Sequence, residues 1–525
     1  PNYVESGVTS GSPGSSVIRQ MKRLHLTRLF NNLIALTLFV VPTCRLIAAE
    51  SKAKKPNVVL IVSDDMGWKD VGFHGSEIRT PNLDRLVAEG VELDRFYAYP
   101  ICSPTRVALM TGRSPIRYGI LSPVGKSSKA LPVEEFILPQ AFKAAGYETF
   151  MTGKWHLGVP DETAMPHRRG FDHYYGFLSG FIDYYTHTDT RRRQLDWMRN
   201  GKLVNEEGYS TDLLADEAVR LVEGRDRAKP FFLYLPFGAA HTPLQAPEKV
   251  IAKYNDITDR DRRVYAAMVD AMDSAIGRVL EAVGKQGVLD DTLVIYFNDN
   301  GGARAGADNG HLAKGKGSVY EGGIRVAAAM RWPAAIPAGK KSSQLTSVMD
   351  LFPTLIDAAG IERGQAKPFD GRSVWPAIKD GKKIGRDGVV IASPQELAVL
   401  RGQWKYIRSA RENSQRASRL FDVVKDPGET TDLAGKKPDL AGELDKATQE
   451  FLPMMANIAP RGRGQGGSRT RGLLWRNDPL LIALDENRDS QLSATELGQA
   501  DAKLRALDRN KDGKLSADEL GLRRR

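Results

Sequence analysis

The sequence predicts an α/β protein with a mostly parallel central sheet flanked by helices. A smaller antiparallel-sheet subdomain follows, and an α-helical pair of calcium loops closes the chain. Three observations carry this. Short, continuous apolar runs such as NVVLIV at 57–62 and TLVIYF at 292–297 have the character of strands buried on both faces. Helical periodicity alternates with them at the spacing of βαβ units. Beyond about residue 385 the pattern breaks into short strand-like pieces separated by turn residues.

The elements follow in order. The first strand at 57–62 runs into Ser63-Asp64-Asp65. Thr80-Pro81 opens a helix with Leu83, Leu86 and Val87 on one face, Thr80 being placed to cap it and Pro81 suiting its first position. A helix is expected at 138–145, a strand at 147–151, a helix at 211–222, a strand at 231–237, a helix at 265–283 and a strand at 292–298. In sheets of this kind ligands bind beyond the carboxyl ends of the strands. The later pieces, 389–392, 398–400, 404–408 and 420–424, suggest a small antiparallel sheet closed by a helix at 440–451.

Composition bounds the function. The 525 residues are 41% hydrophobic and 26% charged, enough for a large core plus additions, with a net charge of +11 that permits an anionic substrate. The two cysteines, Cys44 and Cys102, exclude a disulfide framework and a thiolate-built zinc site. From Met21, basic residues precede the apolar run 33–41, which ends near Ala48 and Ala49. This reads as a secretory signal peptide over 21–49, preceded by an upstream extension over 1–20. The expected product is exported, periplasmic or extracellular, without stable membrane insertion, since the apolar run is shorter than a bilayer span. The expected catalytic domain is 50–385 and its C-terminal subdomain 386–455. A Gly/Arg-rich linker at 456–478 lacks the aromatic residues of a nucleic-acid tail, so no nucleic-acid partner is expected.

Residues 479–525 carry two loops with EF-hand spacing. One places Asp508, Asn510, Asp512, Lys514 and Glu519 at positions 1, 3, 5, 7 and 12, with Gly513 at the turn. The other repeats it with Asp485, Asn487, Asp489, Gln491 and Glu496, but Ser490 stands where glycine belongs. Position 7 offers its backbone carbonyl, so Lys514 and Gln491 do not disturb the pattern. The loop at 485–496, with Ser490 in place of glycine, is expected to bind calcium more weakly.

Chemistry concentrates elsewhere. Cys102-Ser103-Pro104-Thr105-Arg106 sits at the mouth of an expected helix, followed by Thr111-Gly112-Arg113. An anion is favoured at such a mouth by unpaired amides and the helix dipole. Asp64-Asp65 and Asp299-Asn300 each follow an apolar strand and can converge at one sheet edge as hard oxygen ligands for Ca²⁺ or Mg²⁺.

These residues resemble the type I sulfatase signature, C-x-P-S-R followed by a T-G-R turn, with Thr105 in place of the usual serine. Lys154 and His156 in TGKWHLG, His241 in AHTP and Lys316 in KGSVYEGG match further blocks of that family, and the resemblance runs from about 57 to 433. It implies an alkaline-phosphatase-like fold. It also implies that Cys102 is oxidised by a formylglycine-generating enzyme to formylglycine (3-oxoalanine), whose hydrate attacks sulfur and later expels sulfate. By the same resemblance Asp64, Asp65, Asp299 and Asn300, together with the residue derived from Cys102, hold an active-site Ca²⁺. Lys154 and Lys316 clamp the sulfate, Arg106 holds the diol, His156 takes its proton and His241 serves the leaving oxygen. The expected substrate is a sulfated carbohydrate in preference to a small aryl sulfate ester. The aromatic segments 171–176 and 183–187 and the arginines 191–193 stand open as sugar contacts or as packing and solvated charge. Two other functions stay open: a formylglycine-dependent phosphodiesterase or phosphonate monoester hydrolase, and a non-catalytic calcium-dependent sulfated-glycan-binding protein.

Overall fold

The structure is a computed structural model that describes residues 55–125, 130–158, 162–411, 417–458, 484, 498–508 and 510–512. The chain divides into two compact units, 1–56 and 57–525, and the fold given below is that of the second. The expected leader, the linker from residue 459 onward and the loop at 485–496 lie outside the described residues, as do Lys514 and Glu519, while the first residue of the expected linker, Ala456, still belongs to a helix. Among the described residues no helix is long and apolar enough to cross a membrane.

The strands of the main sheet, in chain order, are β1 (Asn57–Ser63), β2 (Val91–Leu93), β3 (Glu148–Lys154), β4 (His173–Phe177), β5 (Met198–Arg199), β6 (Lys202–Leu203), β7 (Phe231–Pro236), β8 (Thr292–Asn298), β9 (Ala328–Arg331) and β10 (Lys340–Ser342). Their spatial order is β10-β2-β9-β8-β1-β7-β3-β4-β5-β6. The five central strands, β8-β1-β7-β3-β4, are parallel, and antiparallel pairs flank them on both sides. Mostly parallel therefore describes the centre, while the margins are mixed. Val58, Leu60 and Val62 of β1 enter one core with α2 (Cys102–Thr111), α3 (Leu138–Ala144) and α6 (Leu351–Ala358). Val59 and Ile61 enter the other with α1 (Pro81–Ala88), α4 (Ser210–Gly224) and α5 (Arg260–Lys285). Burial on both faces explains why β1 reads as an unbroken apolar run instead of an alternating one.

One expected cap is not made. Thr80 makes no side-chain cap to α1; its hydroxyl donates to Asp84 (3.0 Å) and accepts from the Gly72 amide (2.7 Å). Asp273 of α5 instead accepts the Leu83 and Asn82 amides at 2.9 and 3.1 Å. A carboxylate from a neighbouring helix satisfies the open amides and ties the two helices together.

The smaller sheet is fully antiparallel: β11 (Val389–Ala392), β12 (Glu396–Arg401), β13 (Trp404–Ser409) and β14 (Arg419–Asp422). The closing helix expected over 440–451 is two pieces, α7 (Pro438–Lys446) and a short turn of helix at Leu452–Ala456. Pro453 cannot donate a backbone hydrogen bond, which suits a fresh helix start at that point. In the tail, the described residues include a helix at Ala500–Leu507, and Asn510 and Asp512 are linked by side-chain hydrogen bonds.

Candidate active site

The carboxyl ends of the parallel strands deliver the polar residues. β1 ends at Asp64 and Asp65, β8 at Asp299 and Asn300, β3 at Lys154 with His156 two residues on, and the segment after β7 carries His241. Asp65 and His156 both adopt a left-handed backbone, with φ of 61° and 57°, which turns each side chain away from its strand direction. Gly153 has φ 142°, and a Cβ there would stand 1.9 Å from the Pro236 carbonyl oxygen, so only glycine lets β3 approach β7 at this level.

Cys102 is the first residue of α2 and is 2% exposed. Its Sγ lies 3.2 Å from His156 Nδ1. Burial pushes the thiol up, so an unmodified Cys102 stays protonated and is a poor nucleophile. Burial first, then Lys154 and Arg106, hold His156 well below the ordinary histidine range, so it is neutral and can accept a proton. Ser103 fixes the histidine turn: its hydroxyl donates to the His156 carbonyl at 3.0 Å and accepts from the Val124 amide at 3.0 Å. Thr105 retains the hydroxyl function of the usual serine. It donates to the Asp299 carbonyl at 2.6 Å and accepts from the Tyr99 amide at 2.9 Å, joining α2 to the end of β8.

Three cations interleave with the carboxylates. Arg106 donates to Asp299 Oδ2 at 2.8 Å and to the Lys154 carbonyl at 2.8 Å, and stands 3.6 Å from Asp64. Lys154 is ion-paired with Asp64. Lys316 Nζ lies 2.5 and 2.6 Å from the two Asp65 oxygens, and Asn300 Nδ2 donates to Asp65 Oδ1 at 2.8 Å. His241 Nε2 is 3.6 Å from Asp65 Oδ2, and its Nδ1 is 2.6 Å from the Thr242 carbonyl oxygen. Burial disfavours the Asp64 charge, yet Lys154, His241 and Arg106 prevail and hold its carboxyl below the usual range. Burial and the Asp64 charge push Asp299 up, against the opposing pull of Arg106 and Lys154.

A metal fits here by the chemistry of the donors. Oδ1 of Asp64, of Asp299 and of Asn300 is buried with no hydrogen-bond partner among the described residues. Ligand atoms of Asp64, Cys102 and Asp299 lie within 4.8 Å of one another, as do those of Asp64, Asp65 and His241. Buried polar atoms are rarely left unpaired, and orphaned oxygens from two carboxylates and an amide suit a hard divalent ion.

All six expected catalytic residues and both acidic pairs thus meet at one edge of the sheet. Sequence reasoning missed the supports. Gly180 backs the His156 ring, since a Cβ there would fall 2.8 Å from Cε1. Phe181 stacks on His241 with centroids 5.0 Å apart, and Tyr184 donates to the Gly238 and His241 carbonyls at 2.7 and 2.9 Å. Only the aromatic density of 181–185 hinted at them. Phe171, Tyr174 and Tyr175 are buried and serve packing.

Comparison with known proteins agrees with this geometry. The sequence profile of the family described as Sulfatase matches residues 56–361, and that described as N-sulphoglucosamine sulphohydrolase, C-terminal, matches 311–451. The chain is 37% identical over 348 residues to arylsulfatase J of Mus musculus, spanning 65% of this chain and 58% of that protein. It is 34% identical over 389 residues to N-acetylgalactosamine-6-sulfatase of Canis lupus familiaris, spanning 68% and 73%. The crystal structure of Ps i-CgsB in complex with k-i-k-neocarrahexaose superposes with a TM-score of 0.71 at 33% identity, covering 81% of this chain and 97% of that one. Cys102, the acidic pairs and the three cations cluster on a chain whose family match covers more than half its length: it belongs to the sulfatase family and is a sulfuric ester hydrolase.

Proposed function

We propose that the chain is an exported, calcium-dependent sulfatase that hydrolyses sulfate esters of carbohydrates in preference to aryl sulfates, with Cys102 converted to formylglycine by a formylglycine-generating enzyme. The observation that carries the reading is the placement of Cys102, a buried protonated thiol at a helix mouth, beside unpartnered acidic oxygens and three cations. When present, formylglycine supplies a hydrated aldehyde as nucleophile, and calcium held by Asp64, Asp65, Asp299 and Asn300 supplies charge to polarise the sulfate.

The chain's own residues do the rest. Lys154 and Lys316 reach the same space from opposite carboxylates, and fixed cations there stabilise charge growing on the sulfuryl oxygens. Neutral His156 accepts a proton at Nδ1 from the group at position 102. Arg106 holds Asp299 and the end of β3 in register. His241, oriented by Phe181 and by its contact with the Thr242 carbonyl, presents Nε2 to the leaving oxygen. A sulfated carbohydrate is favoured because one relative is named an N-acetylgalactosamine-6-sulfatase and a similar structure was solved with the oligosaccharide k-i-k-neocarrahexaose. The tail loops Asp485–Glu496 and Asp508–Glu519 are proposed as further calcium sites on a separate module.

Sulfate release should be measured on 6-sulfated N-acetylgalactosamine, a sulfated galactan hexasaccharide and 4-nitrophenyl sulfate, alongside the corresponding phosphate esters. Faster turnover of a sulfated sugar than of the aryl ester is expected. A preference for phosphate esters would replace this reading with that of a phosphodiesterase or phosphonate hydrolase, and glycan binding without any release would replace it with a binding protein.

A further inference from the structure

Away from the site, the edge of the main sheet borders a cavity of ≈ 880 Å³, within the size range of ligand clefts. Its floor is apolar, with Val91, Leu345, Ala377 and Ile378 all buried. Its walls hold eight lysines and arginines against a single acidic residue, Asp380. Four of the cations are neutralised: Arg386 by Asp350, Lys341 by Glu92 and Asp94, Lys382 by Asp380, and Arg401 by Glu443. The other four, Arg95, Lys340, Lys379 and Lys383, have no carboxylate partner among the described residues; the three lysines are exposed and Arg95 is half-buried, donating to the Gly402 carbonyl.

Lysines on an edge strand commonly serve to discourage strand pairing. That accounts for Lys340 and Lys341 on β10, but not for Lys379, in the last turn of a separate helix at Trp375–Asp380, or Lys383 just beyond it, nor for Arg95, which follows β2. Like charges gathered from three segments around an apolar floor repel one another unless an anion lies between them. β10 lies four strand spacings from β1, which places the cavity roughly 19 Å from the Asp64 pair across the sheet. It is therefore distinct from the catalytic pocket.

We infer that this cavity is a second binding site for sulfated oligosaccharide, gripping a stretch of the polymeric substrate remote from the ester being cleaved. Sulfate groups meet Arg95, Lys340, Lys379 and Lys383, and the sugar's C–H faces rest on Val91, Leu345 and Ile378. The inference rests on the sulfated-carbohydrate reading above, and the cavity converts a reaction on a chain into a two-point attachment, raising effective concentration at the active site.

The test uses the full chain and the triple variant Lys340→Ala, Lys379→Ala, Lys383→Ala, none of which touches the catalytic residues. Binding of chondroitin 6-sulfate polymer is measured at several salt concentrations, together with kcat/KM for 4-nitrophenyl sulfate. The variant is expected to bind the polymer at least about tenfold more weakly, with a salt dependence shallower by roughly one unit per lost contact. Turnover of 4-nitrophenyl sulfate should stay within about twofold of the parent, the active site being untouched. Equal polymer binding by parent and variant would overturn the second site. So would equally tight binding of single-stranded DNA of matched charge, which would reduce the cavity to a general polyanion trap. Because the binding measurement needs no turnover, absence of sulfate release from every ester would sink the catalytic reading separately, while a retained binding difference would still support the glycan site.

Discussion

Lys316 reaches the Asp65 carboxylate from a side chain that is still 25% exposed, whereas Lys154, paired with Asp64, is wholly buried. The exposed lysine can therefore be removed without opening the core. Lys316→Ala is expected to lower kcat/KM for sulfate esters by about 10²–10³-fold, with a melting temperature near that of the parent; activity within a factor of a few would remove Lys316 from the clamp. The orphaned oxygens give a second expectation at this scale. Chelation should abolish turnover, Ca²⁺ or Mg²⁺ should restore it, and saturating metal at about 100 times its Kd should stabilise the fold by roughly 2.7 kcal/mol in calorimetry. Full activity in metal-free protein would contradict the assignment. The acidic pairs were legible in the sequence because a buried parallel strand has one polar exit, and Ser63-Asp64-Asp65 and Asp299-Asn300 mark two of them. Ser103, Gly180 and Tyr184 were not, because their contacts join segments from 21 to 57 positions apart in the chain, and spacing along a strand or helix carries no record of them.

At the scale of elements, α1 is held by Asp273 of α5 instead of by its own Thr80. Burial pushes the Asp273 carboxyl up from 3.8 to about 6, with Asp84 adding to the rise. A folded-state pKa above the unfolded one means that the native form binds the proton more readily. The stabilisation is then fully present below about pH 3.8 and is lost as pH rises through about 6. In urea unfolding, the stability of the parent relative to Asp273→Asn should therefore grow by as much as about 3 kcal/mol between pH 7 and pH 4. A flat difference would show that the carboxylate is ionised throughout. A cap supplied by a helix nearly two hundred residues later leaves no local trace; of the local cue Thr80-Pro81, the proline does open the helix, while the Thr80 hydroxyl is used elsewhere. The strands fared better: the runs at 292–298 and 389–392 coincide with β8 and β11, since apolar strands flanked by turn residues have sharp ends.

Across the whole molecule, the antiparallel subdomain is joined to the catalytic layer by a buried charge cluster. Lys405 of β13 is 3.1 Å from Glu321 and 3.0 Å from Glu429, all three buried, and Glu429 also accepts the Glu321 amide at 2.6 Å. Glu321 closes the loop that carries Lys316, so the small sheet braces the segment that holds Lys316 against Asp65. Lys405→Met leaves two carboxylates buried without their cation and should destabilise the protein by about 3–5 kcal/mol, read as a fall in melting temperature with KM for the sulfate ester rising as the loop loosens. An unchanged melting temperature would show that the cluster does not hold the layers together. The division into a parallel catalytic layer and a small antiparallel sheet was visible in the change of period near residue 385. The brace was not, because Lys405, Glu321 and Glu429 look like ordinary surface charges until the chain folds.

Conversion of Cys102 is read from the mass of the tryptic peptide Phe96–Arg106, taken from a preparation that releases sulfate. The peptide is expected to be lighter than the unmodified sequence by about 18 Da, the change from thiol to aldehyde. A fully active preparation in which every copy of that peptide still carries the thiol would contradict it.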